Sequence, residues 1–191
     1  MNKSQKHKIA KSQNKKFTLI ELLVVIGIIA LLVALLLPAI GAVRAAAQQT
    51  KARGLANAIV IAVKQYETTY GVLPVTLGKN ITSTSKEVIK DKDAYDELIT
   101  ILSQVKGPKG KVTDGNPRKV RFLEVPSDYG VDNPYVDPWG NRFQIGIDVD
   151  YDHDVEGFYG DKKNGTVFVY SYGPDGNGSD SDTQDDVRTW D

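Results

Sequence analysis

Hydrophobic and polar positions alternate in distinct regimes along this chain. Residues 1–16 are polar and basic. Residues 22–43 carry no charged side chain, and the single carboxylate just before them is Glu21. About 20 apolar residues at 1.5 Å rise span a bilayer core, so 17–43 predicts a membrane-spanning helix. A cleaved secretory signal has a shorter apolar region ending at a small-residue site. Here the run continues into a stretch rich in Ala, Gln, Lys and Arg, all good helix formers. In that stretch Leu55, Ile59, Ala62, Val63 and Tyr66 recur at helical period. One helix is therefore expected over 17–69, roughly 80 Å long. Pro38 lacks an amide donor and predicts a kink or local break near 35–38. Gly71 and Pro74 predict its end.

Beyond this helix the pattern is that of a small mixed domain. A polar Ser/Thr stretch at 82–85 reads as loop. A second helix is expected from Lys86 or Asp91 to Val105, burying Tyr95, Leu98, Ile99, Leu102 and Val105. Residues 106–119 read as loop by their Gly, Pro and charge. Strands are expected at 120–125, at 142–149 with Phe143, Ile145, Ile147 and Val149 on one face, and at 167–172. The last two should pair antiparallel across an acidic loop at 150–165. The fold class is α+β: a long N-terminal helix packed on a small antiparallel β-sheet.

Charge sharpens the topology. The net charge is zero, yet Lys3, Lys6, Lys8, Lys11, Lys15 and Lys16 stand before the apolar run without any acid. The remaining 18 bases face 24 acids, and from Asp137 onward 13 acids face 4 bases. A basic flank, an apolar span and an acidic body predict a cytoplasmic N-terminus with the body on the other side. The acidic body argues against nucleic acid as a partner. There is no cysteine, hence no disulfide framework. No nucleophile–base constellation, phosphate loop or zinc spacing occurs, so no enzymatic activity is expected.

Glu21 needs a reason, because a carboxylate in hydrocarbon costs about 2.5–3.5 kcal/mol. The stretch Phe17-Thr18-Leu19-Ile20-Glu21-Leu22-Leu23-Val24-Val25-Ile26 resembles the class III signal of the type IV pilin-like superfamily. In that signal a basic leader precedes a Phe, and a Glu follows four residues later. Pro38 also stands where the superfamily places a helix proline. The family usually has Gly, sometimes Ala, before the Phe; this chain has Lys16. The resemblance implies a leader, 1–16, removed by a prepilin peptidase between Lys16 and Phe17, with N-methylation of Phe17. It also implies that Glu21 receives the new α-amine of a neighbouring subunit when the helices assemble into a filament.

Two further stretches resemble the major pseudopilin family of type II secretion systems. "NPYVDPWGNRF" (133–143) matches that family's DPWGN signature. It reads mechanically as a turn in which Pro138 presets φ, Gly140 and Asn141 permit positive φ, and Trp139 covers the sheet edge. "YSYGPDGNGSDSDTQDDVRTWD" (170–191) resembles the same family's calcium loop. That resemblance implies Asp175 and Asp186 as side-chain ligands and the Tyr172 carbonyl as a backbone ligand. Asp180, Asp182 and Asp185 complete a carboxylate-rich, Gly-rich loop suited to calcium's 6–8 oxygens. A rival site is "DVDYDHDVEG" (148–157), where Asp148, Asp150, Asp152 and Asp154 alternate like the early ligands of an EF-hand. The required Gly and the final Glu are missing there. A second cation at this point stays open, and His153 is expected to be exposed.

The organisation implied is a leader (1–16), a membrane and filament-core helix (17–43), and a periplasmic globular domain (44–191) closing on a calcium loop (171–191). By resemblance the chain would be a single-pass inner-membrane protein polymerising into a periplasmic pseudopilus that drives protein export. Its partners would be further copies, other pseudopilins, the prepilin peptidase, and an inner-membrane platform with its ATPase. The alternatives are a type IV pilin or minor pilin, and a membrane-anchored calcium-binding module that never polymerises.

Overall fold

A computed structural model describes residues 17–74, 88–89, 91–107, 115–130, 132–158, 161–178 and 185–190. The expected leader 1–16 with Lys16, the loop expected at 82–85, and Asp180 and Asp182 lie outside the described residues. The chain divides between Arg44 and Ala45 into two units.

Helix α1, Leu19–Tyr70, covers 52 residues. It is assigned helical through Pro38 without interruption, so the local break expected there is not present. A proline removes one donor from the ladder. Long, cooperatively propagated flanks on both sides carry the helix across that missing bond. In the first unit the apolar side chains of α1 are exposed, among them Leu19, Ile20, Leu22, Leu31, Leu35 and Leu36. A helix apolar on every side and exposed within its own unit, among the described residues, matches lipid or a partner helix rather than water.

In the second unit the same helix becomes one-sided. Ala52, Ala56, Ile59, Ala62, Val63 and Tyr66 are all fully buried, while Leu55 is half-buried. Burial, with the neighbouring Tyr70, pushes the Tyr66 phenol up to about 12, so the hydroxyl stays a donor and bonds the Gly115 carbonyl. The helix ends at Gly71, whose φ of +73° suits glycine and whose N–H reaches the Glu67 carbonyl at 2.7 Å.

The second helix, α2, is Lys92–Ser103. Of the two starts expected, the later holds: Asp91 caps it, accepting from the Asp93 and Ala94 amides at 2.9 and 3.0 Å. Gln104 closes it in the left-handed region. Its buried face includes Tyr95, Leu98, Ile99 and Leu102 as expected, plus Asp96. Asp96 is held by a two-pronged pair from Arg142, at 3.1 and 3.0 Å.

A four-stranded antiparallel sheet runs in the order β1 (Val88–Ile89), β2 (Gln144–Ile147), β5 (Val167–Ser171), β6 (Val187–Arg188). Ile145 sits opposite Val169, and Ile147 opposite Val167. These side chains join the buried α1 face and α2 in one core.

Three expectations are corrected. Residues 120–125 form no strand; their amides serve the end of α2, with Phe122 and Leu123 N–H both reaching the Leu102 carbonyl. Helix ends leave carbonyls that need donors, and this segment supplies them. The second strand is shorter than 142–149, and Val149 is exposed rather than on the buried face. The acidic connection is not simply a loop: it holds a hairpin of β3 (Asp154–Phe158) and β4 (Asp161–Asn164), where Asp154 faces Asn164.

Candidate functional site

The N-terminal end of α1 carries a reciprocal cap. Glu21 Oε2 accepts from the Thr18 N–H at 2.9 Å and from the Thr18 hydroxyl at 2.6 Å. In return the Glu21 N–H reaches Thr18 Oγ1 at 3.3 Å. Thr18-x-x-Glu21 is thus a capping box, a pattern legible in the sequence. Both groups are exposed, as is Phe17 beside them. In the single chain Glu21 therefore has a local, uncharged partner in Thr18 and remains exposed to an approaching cation.

At the other end, the acidic C-terminal segment connects two strands already paired. Tyr170 faces Arg188 and Ser171 faces Val187, so β5 and β6 clamp the ends of the loop. Trp190 docks edge-on to Phe168 and Tyr170, at 5.6 and 5.9 Å between ring centroids. Tyr172 opens a 3-10 turn over Gly173–Asp175. Gly173, at φ +70°, lies so close to Asp185 that a Cβ there would fall 2.5 Å from the Asp185 carbonyl oxygen. That contact brings the start and end of the loop together. Asp175 is exposed and accepts from the Asn177 amide at 2.9 Å. The Asp186 side chain is fully buried, with Arg188 Nη2 at 3.9 Å. The buried Oδ1 of Asp185 has no hydrogen-bond partner among the described residues. A carboxylate drawn inward with an open lone pair, as at Asp185, suits a hard cation.

The DPWGN segment does more than turn the chain. Asp137 is almost fully buried at 3% exposure. Its Oδ1 accepts from the Trp139 and Asn141 amides at 2.9 and 2.8 Å, and its Oδ2 accepts from the Ser171 hydroxyl at 2.5 Å. Ser171 Oγ in turn accepts from the Gly173 N–H at 3.0 Å, and Asn141 Nδ2 donates to the Gly173 carbonyl at 3.1 Å. Gly140 takes the positive φ; Asn141, expected to share it, instead contributes its side-chain amide. The signature turn is therefore bonded directly to the first residues of the acidic loop. By sequence Asn141 stands out only as a turn residue of the signature, and Asp137 and Ser171 do not stand out as partners. The only available signal was an acid followed by Pro in a turn, which does not reveal a partner 34 residues away.

Among the described residues, the carboxylates that converge in space are those of Asp148, Asp150 and Asp152, whose nearest oxygens all lie within 4.8 Å of one another. A three-acid cluster of this kind could bind a metal ion. His153 is exposed as expected.

An N-terminal apolar helix followed by a second helix and a small antiparallel sheet defines an α+β protein of pilin-like build. The chain is 28% identical over 180 residues to the type II secretion system core protein G of Pseudomonas aeruginosa, a span of 94% of this chain and 96% of that protein. The match supports the pseudopilin family for this chain. No family model matches it, and no solved structure does.

Proposed function

We propose that this chain is a structural subunit of a type II secretion pseudopilus, anchored by α1 and assembled through it. The observation that carries this reading is a similarity spanning nearly the whole chain, joined to 19 consecutive helical residues, Leu19–Leu37, long and apolar enough to cross a membrane. Six lysines before the span support a cytoplasmic N-terminus with the acidic body in the periplasm. Processing after Lys16 would free the Phe17 amine, and Glu21 of a neighbouring subunit would receive it. The exposed apolar surface then serves twice: against lipid before assembly, and against neighbouring helices in the filament core. The role is structural, and no catalytic step is assigned.

The test is export. A strain lacking this chain is expected to retain exported proteins in its periplasm, and the full chain should restore their release. Unchanged export in the deletion strain contradicts the reading.

Calcium belongs to the C-terminal loop on this reading. Asp175, Asp185 and Asp186 would hold it with the Tyr172 carbonyl, and Asp180 and Asp182 lie within the same loop. The ion would neutralise crowded carboxylates and lock β6 and Trp190 onto β5. Chelation with EDTA is therefore expected to lower the thermal midpoint of the full chain in detergent by several degrees, a shift of about 1–2 kcal/mol. In Asp175→Ala that response should be clearly smaller than in the parent protein. An EDTA-insensitive midpoint in the parent protein would sink the calcium assignment and leave the filament role untouched.

A further inference from the structure

We infer that Asp148, Asp150 and Asp152 form a second calcium site, at the root of the β3–β4 hairpin and separate from the C-terminal loop. Alternate residues on an extended strand point the same way about 6.6 Å apart. Here one oxygen from each of the three lies within 4.8 Å of the others. The backbone accounts for the gathering: Tyr151 and His153, the residues between and after them, both take left-handed conformations, at φ +63° and +68°. The chain curls around the carboxylates, held by the Asp152 and Asp154 amides donating to Asp150 and Asp152.

Curling alone would not imply a ligand. Asp148 supplies the independent observation. Its side chain is completely buried. One oxygen, Oδ2, accepts from the His153 N–H at 3.0 Å, while Oδ1 is buried with no hydrogen-bond partner among the described residues. An ionised carboxylate in that position is strongly unfavourable without a counter-charge. Two more carboxylates beside it, both exposed, raise the cost through like-charge repulsion. A divalent cation removes both penalties at once. The donors are all oxygen, which selects a hard cation. Their irregular loop setting, open to water on the Asp150 and Asp152 side, suits calcium's flexible 6–8 coordination rather than the strict octahedron of magnesium.

Placement suggests what the ion would hold. Asp148 follows directly on β2, and its own N–H bonds the Thr166 carbonyl just before β5. The His153 carbonyl accepts from the Gly165 N–H at 2.8 Å. The three acids thus sit where the hairpin leaves and rejoins the main sheet, next to the fully buried Val155 that packs with Val88 and Tyr170.

The experiment is calcium titration calorimetry on the full chain in detergent, with two variants. Asp150→Asn with Asp152→Asn changes only exposed side chains, so folding should be retained; Asp175→Ala addresses the C-terminal loop. The parent protein is expected to bind two equivalents of calcium, and each variant should lose one, the two losses adding in the combined protein. If Asp175→Ala leaves binding at the hairpin intact, the second site stands even when the C-terminal assignment fails. Binding that survives unchanged in the Asp150/Asp152 variant, or no binding in the parent, overturns the inference.

Discussion

Replacing Glu21 by leucine is expected to weaken association between membrane-inserted chains roughly a hundredfold, while membrane insertion is kept or improved. The two effects separate because they have different physical origins. In lipid the carboxylate costs about 2.5–3.5 kcal/mol, which leucine removes. In a filament the same carboxylate would neutralise a neighbour's amine, and its loss strands that amine at about 3 kcal/mol, or about two powers of ten in affinity. The capping box complicates a simple reading, since Glu21 also accepts two bonds from Thr18 and losing them costs about 1 kcal/mol of local helix stability. Glu21→Gln resolves this. Its amide oxygen can still accept from Thr18, but it carries no charge. Association that falls in both variants, measured by the crosslinked fraction in membranes, identifies the charge as the cause. Association that falls in leucine alone would make Glu21 only a cap.

Asp137→Ala is the second large effect. It should destabilise the globular unit by about 3–5 kcal/mol, seen as a lower urea midpoint for the full chain in detergent. The substitution strands the Trp139 and Asn141 amides and frees the Ser171 hydroxyl that orders Gly173. Each buried donor left without an acceptor costs about 1–3 kcal/mol. A typical domain holds only 5–15 kcal/mol in total, so the loss is a large share. Asp137→Asn keeps one acceptor for the turn amides and should lose distinctly less. An unchanged midpoint in Asp137→Ala would contradict the bonding described between the turn and the acidic loop.

Much of this could be read from sequence because it follows from periodicity. Ile59, Ala62, Val63 and Tyr66 repeat at helical spacing and are fully buried. Ile145 and Ile147 alternate and meet Val169 and Val167 across the sheet. The misses share a different cause. Residues 120–125 are apolar enough to suggest a short strand, yet Phe122 and Leu123 give their amides to Leu102 at the end of α2; tertiary demand decided their conformation. Asp137 and Ser171 are far apart in sequence, and no local rule predicts that they bond. At the hairpin, an EF-hand template fits Asp148, Asp150, Asp152 and Asp154 only in part, lacking the glycine and the final glutamate, and leaves a cation there open. Positive φ at Tyr151 and His153 supplies the curvature without that glycine.

The central claim is that α1 is a polymerising surface as well as an anchor. The chain contains no cysteine, so introduced thiols report cleanly. Paired cysteine substitutions scanned along the exposed face of Leu19–Leu37 and oxidised in native membranes measure subunit contact directly. Head-to-tail contacts in a filament propagate without closing, so the account predicts a disulfide ladder of dimers, trimers and higher multiples for some pairs, abolished by Glu21→Leu. Monomers alone, or a series that stops at dimers, would contradict it.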